Sequence, residues 1–322
     1  MILGLETSCD ETAAALVTPE GRIRSNVVSS QADLHAQFGG VVPEVASRRH
    51  LELVLPVLRE ALAEAAASLD DVERIAVTQG PGLIGALLVG LSAAKALAWG
   101  RGRQLVPVDH LRGHVASLYL EPDPLEPPFL CLLASGGHTL LLHVHDHTSM
   151  EVLGETIDDA AGEAFDKGAR LLGLGYPGGA ALDRLAAEGD AGAHAFPVAR
   201  VPGLDFSFSG VKTALLYAVR DLDGNLEERR ADLAASYQRA VVEALVRRTL
   251  QAAERTGLET IAVVGGVAAN SELRRSLPGA VFAPLPLCTD NAAMIASAGR
   301  YADAVPYPDY LALDAYASRE NA

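Results

Sequence analysis

The chain has 322 residues, nearly half of them apolar, which is enough for two compact domains and excludes a disordered protein. A formal charge of −15 excludes a surface that grips nucleic acid broadly, because counterion release needs clustered cations. Any RNA contact must rest on a small basic patch or on partner proteins, and the arginine doublets at 48–49, 229–230, 247–248 and 274–275 each read as solvated helix faces.

Residues 2–6 form an apolar strand, 7–12 a polar loop and 13–17 a second strand, together a β-hairpin. The first residues carry no basic stretch or cleavage signature, so no export is expected. Helical periodicity follows over 51–68, then a short strand at 74–78 and a helix over 85–99. The longest apolar stretch, 83–99, contains Lys95, Ser92 and two glycines and reads as a buried helix, not a membrane span. An apolar strand at 105–108 runs into a helix that opens at His110. Residues 121–128, with four prolines in eight, form the natural linker. Beyond it, strands at 129–134 and 140–144 repeat the hairpin around a Ser/Gly/Thr loop at 135–139, which implies an internal duplication if each hairpin opens a domain. Helices are expected over 160–172, 180–188, 210–220 and 231–256, with a last strand at 260–264 and a helix capped by Asn270. Strands and helices alternate, so the class is α/β.

The most informative spacing is His110 and His114, four residues apart on one helix, where both imidazoles share a face and can grip one metal ion. A zinc protease would place a glutamate after the first histidine, and here that position is Leu111. Asp290, just before a helix over 292–302, reads either as that helix's N-cap or as a carboxylate aimed at a cation. In the second case it completes a two-histidine, one-carboxylate set suited to Fe(II) or zinc. Ser135, Gly136 and Gly137 offer successive unhindered amides, the kind of nest that binds anions.

Other patterns weigh less. Gly80, Gly82 and Gly85 spell a dinucleotide fingerprint with Asp109 at the end of the next strand, but Pro81 removes an amide where a pyrophosphate would lie, so close helix packing is the plainer reading. His143, His145 and His147 alternate and share a face; an exposed hairpin side accounts for them as well as a second metal site does. Cys9, Cys131 and Cys288 form no C-x-x-C pair, which suits a reducing cytoplasm. Against 23 arginines there are three lysines, Lys95, Lys167 and Lys212, and the sequence assigns none of them a role.

Nine ordered segments resemble one family: MILGLETSCDETAAALV, GGVVPEVASRRH, GPGLIGALLVG, HLRGH, SGGHT, GEAFDKGARLLGLGYPGG, FSFSGVKT, GGVAAN and CTDNAAMIA. They are similar to the bacterial TsaD (Gcp) proteins, tRNA threonylcarbamoyladenosine transferases of the actin/Hsp70/sugar-kinase (ASKHA) superfamily. The resemblance implies two lobes of duplicated RNase H-like, actin-like domains with an interlobe cleft: an N-terminal lobe over 1–126, with about 300–322 packing back on it, and a C-terminal lobe over 127–299. It implies transfer of threonylcarbamoyl from threonylcarbamoyl-AMP to the exocyclic amine of the adenosine beside the anticodon, in tRNAs reading ANN codons.

By motif match the metal ligands would be His110, His114 and Asp290, holding one divalent ion, Fe(II) in preference to Zn(II). The adenylate would touch Leu133, Ala134, Ser135, Gly136 and Gly137, with Asp166, Gly179, Asp183 and Asn270 around the nucleotide; whether ATP also binds is left open. Asp10 and Glu11 are candidate catalytic groups on loop position alone, to accept the amine proton or orient the acceptor. Archaeal relatives have a metal-ligating tyrosine where this chain has Leu133, which implies one protein ligand fewer, and Ala134 stands where valine is usual. Implied partners are tRNA, a paralogous TsaB-type subunit, a TsaE-type ATPase and a separate donor synthase, with no membrane. The alternatives are a metal-dependent peptidase, a non-haem iron oxygenase and a nucleotide-binding scaffold without enzymatic activity.

Overall fold

The computed structural model describes residues 1–222 and 224–318. The chain divides into two compact units, one made of Met1–Glu126 with the chain from Thr289 onward, the other of Pro127–Cys288. The first boundary falls in the proline-rich segment.

In the first unit β1 (Ile2–Glu6), β2 (Glu11–Val17) and β3 (Ile23–Ser30) form an antiparallel meander. A short α1 (Ala32–Ala36) leads to α2 (Pro43–Glu64), followed by β4 (Arg74–Gly80), α3 (Ile84–Arg101), β5 (Gln104–Asp109) and α4 (His110–Ala116). The sheet order is β3-β2-β1-β4-β5, with β1, β4 and β5 parallel. Helix α2 begins eight residues before the expected 51, because Pro43 presets the backbone of the first turn and Glu44 faces its positive end. Its buried stripe, Ala46, His50, Val54, Val57, Leu58 and Ala61, keeps helical spacing. Helix α3 has the length and composition of a membrane span, yet it buries Leu87, Leu91, Ala94 and Ala98 in the core of this unit.

The second unit repeats the plan. Strands β6 (Phe129–Ala134), β7 (Thr139–Val144) and β8 (Met150–Glu155) form the meander. Helices α5 (Ala161–Leu171), α6 (Gly179–Ala186), α7 (Ser209–Arg220) and α8 (Leu226–Thr256) precede β9 (Ile261–Val264), α9 (Ser271–Ser276) and β10 (Val281–Phe282). The order β10-β9-β6-β7-β8 matches the first sheet strand for strand, with β6, β9 and β10 parallel. The duplication inferred from two hairpins therefore extends to whole five-stranded sheets.

The last helix, α10 (Ala292–Ala298), returns to the first unit. Residues 289–299, expected in the second lobe, therefore belong to the first. Gly4 on β1 is the reason. A β-carbon there would lie 2.2 Å from the Ala292 carbonyl oxygen and 2.8 Å from the Ala296 nitrogen, so the helix backbone rests directly on the strand. Ser297 donates to the Ala116 carbonyl, and the Ala293 N–H to Asn26 Oδ1, which fixes α10 on both sides. Beyond it the Val305 N–H pairs with the Leu105 carbonyl, and Lys95 donates to the carbonyls of Leu311 and Leu313. Residues 319–322, the end of the segment expected to pack back, lie outside the described residues.

The other two lysines meet one carboxylate. Lys167 Nζ and Lys212 Nζ lie 2.7 and 2.5 Å from the two oxygens of Asp159, joining α5 and α7 to the turn before α5. Burial works against the charged carboxylate, but the two ammonium groups override it and hold Asp159 below its ordinary value. A depressed folded value stabilises above the unfolded value near 3.9, and the gain is lost as pH falls through the folded value. Asp159→Asn should cost about 2 kcal/mol at pH 7, and the difference from wild type should shrink below about pH 4, read from urea midpoints across pH. Gly4→Ala should cost about 3 kcal/mol and lower the thermal midpoint, because a β-carbon must push α10 away from β1.

Candidate metal centre

Helix α4 starts at His110 because Asp109 caps it, Oδ1 accepting from the backbone N–H groups of Leu111 and Arg112 at 2.9 and 3.0 Å. One turn separates His110 from His114, and their rings lie 4.8 Å apart, edge to face, both buried. Asp290 Oδ1 stands 3.5 Å from His110 Nε2 and 3.2 Å from His114 Nε2. The cap of α10 is Asn291, whose Oδ1 accepts from the Met294 N–H at 3.0 Å, so the reading of Asp290 as N-cap is corrected. With the neighbouring asparagine occupying the helix end, Asp290 faces the histidine pair.

Glu6, wholly buried at the end of β1, lies behind this set. Its carboxylate accepts from the Ser8 N–H and the Thr78 hydroxyl, and its Oε2 is 3.0 Å from His110 Nδ1. A proton held on Nδ1 by Glu6 leaves Nε2 as the ligand atom, the usual outer-shell arrangement of a metal-binding histidine. Burial disfavours a charged His110, but the carboxylates of Asp290 and Glu6 outweigh it and raise the imidazole to about 9. Both ring nitrogens of His114 are buried without a hydrogen-bond partner, a cost that ligation of one of them would offset. Burial, then Asp290 and Asp10, pushes Glu11 up to about 10, and the Cys9 thiol is likewise pushed up. Buried imidazole nitrogens and crowded carboxylates fit a divalent cation on His110, His114 and Asp290, whose ligand atoms lie within 4.8 Å of one another. The buried His50 steadies the acidic loop, lying 2.8 Å from the Thr12 hydroxyl and 2.9 Å from the Cys9 carbonyl.

The residues expected to surround the adenylate all fall in the second unit. Leu133 and Ala134 end β6 in the core, and Ser135 closes a tight turn by exchanging backbone and side-chain hydrogen bonds with His138. Gly136 and Gly137 are exposed, with open space where side chains would project. The turn is clamped by α5, whose Gly162 N–H bonds the Ser135 carbonyl, and by Gly265, which has φ +89° and passes against the Ala134 carbonyl. One turn along α5, Asp166 accepts from the N–H groups of Gly178 and Gly179 at 2.7 and 3.1 Å. Further along α6, Asp183 accepts from Asn270, Gln238 and Ser271. Asn270 caps α9, as its sequence position implies. Sequence reasoning missed Glu6, Gln238 and Ser271; Glu6 is signalled by a polar side chain ending a buried strand and Gln238 by one inside a buried helix stripe, while Ser271, the first residue of α9, carries no such signal.

Several weaker patterns resolve into packing. At Gly80, Gly82 and Gly85 a β-carbon would strike Tyr316, Ser8 and Ser47, and Asp109 accepts from the Tyr316 hydroxyl, so these glycines serve close protein contacts. The 247–248 doublet is not a solvated face: Arg248 is 8% exposed, and its guanidinium holds the carbonyls of Val201 and Gly203. Arg274 likewise binds the carbonyls of Ala268 and Ala283. Because Glu6 sets the orientation of His110, Glu6→Gln should weaken metal binding about 10- to 100-fold without unfolding the chain, measured by competition with a chromophoric chelator.

The TsaD family model, described as tRNA N6-adenosine threonylcarbamoyltransferase, matches residues 22–297. A protein of that name from Symbiobacterium thermophilum is 54% identical over 310 residues, covering 94% of this chain and 91% of the relative. Its counterpart in Salinibacter ruber is 55% identical over 312 residues, with 93% of each chain covered. Among solved structures, T. kodakarensis HypF aligns with TM-score 0.60 at 17% identity, over 93% of this chain and 47% of HypF. Component A of the Acidaminococcus fermentans (R)-2-hydroxyglutaryl-CoA dehydratase aligns with TM-score 0.55 at 14% identity, over 94% and 96%. The structural likenesses support the duplicated ASKHA-type fold alone, whereas the sequence matches run through the histidine pair, the Ser-Gly-Gly turn and the Asn270 cap; the chain belongs to the TsaD family of tRNA N6-adenosine threonylcarbamoyltransferases.

Proposed function

We propose that this transferase moves the threonylcarbamoyl group of threonylcarbamoyl-AMP to N6 of the adenosine beside the anticodon, in tRNAs reading ANN codons, with a divalent ion held by His110, His114 and Asp290. The observation that carries the metal-dependent reading is the buried pair of histidines facing Asp290, with both nitrogens of His114 lacking a hydrogen-bond partner. The ligand set accepts Fe(II), the preferred ion, or Zn(II). When bound, such an ion supplies Lewis-acid polarisation of substrate oxygens.

In the reaction the N6 amine attacks the carbamoyl carbon, the bond from that carbon to the phosphate oxygen breaks, AMP departs, and N6 loses a proton. The Ser135 N–H is taken by the His138 carbonyl, so of the three amides expected to hold the adenylate's negative charge the exposed ones of Gly136 and Gly137 are suited to it. Leu133 and Ala134 fix that turn from beneath, while Asp166, Gly179, Asp183 and Asn270 shape the nucleotide end. Asp10 and Glu11 are the candidates to take the N6 proton or orient the acceptor, and Glu11 is itself steadied by the Ser30 hydroxyl, which donates to its carboxylate at 3.1 Å.

A TsaB-type subunit, a TsaE-type ATPase and a separate donor synthase complete the reading. Leu51 and Leu55 on α2, with Ile84 and Leu88 on α3, place exposed apolar side chains at one-turn spacing and offer a face for the paralogous subunit. Three free cysteines suit a reducing cytoplasm. Transfer of labelled threonylcarbamoyl to tRNA, with purified partners, should fall about a hundredfold or more in the folded His110→Ala/His114→Ala variant. Undiminished product would overturn the metal-dependent reading.

A further inference from the structure

The second unit contains another convergence of ligands. On β7, His143 stands opposite Glu151 of β8 in the antiparallel register, and His145, two residues on, keeps to the same face. The two imidazoles lie 3.9 Å apart between centroids, and His145 Nε2 is 3.6 Å from Glu151 Oε2. One ligand atom from each of His143, His145 and Glu151 falls within 4.8 Å of the others.

The backbone beneath them is fixed. The His145 N–H donates to the Ser149 carbonyl at 3.0 Å, and Asp146 Oδ1 accepts from the N–H and hydroxyl of Thr148 at 2.7 and 2.8 Å, so the turn joining β7 to β8 is closed by hydrogen bonds. His147, the third member of the alternating run, lies in that turn and is not one of the three converging groups.

We propose that His143, His145 and Glu151 form a second metal site, selective for borderline divalent ions of the zinc class and separate from the His110/His114/Asp290 centre in the other unit. The chemistry follows from the donors. Two imidazoles and one carboxylate suit Zn(II), Ni(II) and Cu(II), while magnesium and calcium prefer oxygen ligands alone. Zinc binds nitrogen and carboxylate oxygen at about 2.0–2.2 Å, so the donors of a tetrahedral site stand about 3.4 Å apart. The present spacing closes to that by side-chain rotation of roughly 1 Å, which is available because His145 and Glu151 are exposed. Water would fill the remaining position. Since β8 is the edge strand of its sheet, the bound ion would cross-link that edge to β7 and stabilise it in proportion to metal occupancy.

The test is equilibrium dialysis of the full-length, chelator-stripped protein against Zn2+, with metal analysis. Wild type should bind two equivalents. His143→Ala/His145→Ala should bind one and keep its transfer activity, and His110→Ala/His114→Ala should also bind one, now removed by adding the first pair of substitutions. Glu151→Gln should weaken the second equivalent about tenfold or more. The proposal is overturned if His110→Ala/His114→Ala binds no zinc, if its remaining equivalent survives loss of His143 and His145, or if Glu151→Gln leaves the affinity of that equivalent unchanged.

Discussion

The contact between α10 and β1 at Gly4 is the constraint on which the first unit's chemistry depends. Asp290 leads into a helix whose position is set by backbone resting on a strand that has no side chain at that point. The same strand ends in Glu6, which orients His110, while the caps at Asp109 and Asn291 start the helices beside His110 and Asp290, with His114 one turn further along α4. Gly4 thus seats α10 on β1, and Gly113 of α4, where a β-carbon would meet Ile295 at 2.6 Å, lets the two helices approach closely.

Much of the architecture could be read from the sequence because its strongest elements are locally determined. The central strands β1, β2, β6 and β7 are short apolar runs bounded by polar turns, and they were legible to within two residues. Strands β3 and β8 were not read. Both are edges with mixed burial, where a solvated face dilutes the period-two pattern. The start of α8 was missed for a similar reason: residues 226–230 are dominated by charge and give no apolar stripe.

The histidine pair was visible because its spacing matches one helical turn, but two adjacent polar residues, Asp290 and Asn291, compete for the cap of α10, which Asn291 takes. Sequence alone leaves both open. The roles of Lys167 and Lys212 were beyond it altogether, since they converge on Asp159 only after α5 and α7 have packed. Arg248 shows the opposite failure: a doublet that reads as surface charge is a buried clamp on backbone carbonyls.

Because the first unit is completed by chain that follows the second, its core and the cluster of His110, His114 and Asp290 cannot be assembled while the polypeptide is still growing through residues 127–288. The inserted unit is continuous and can fold as it emerges, leaving the N-terminal hairpin and α4 waiting for α10. A product broken off within the second unit would carry both histidines and neither Asp290 nor the helix that seats it. Bringing Asp290 to the two histidines is thus coupled to having made the chain through α10, and shorter chains are left without the finished cluster.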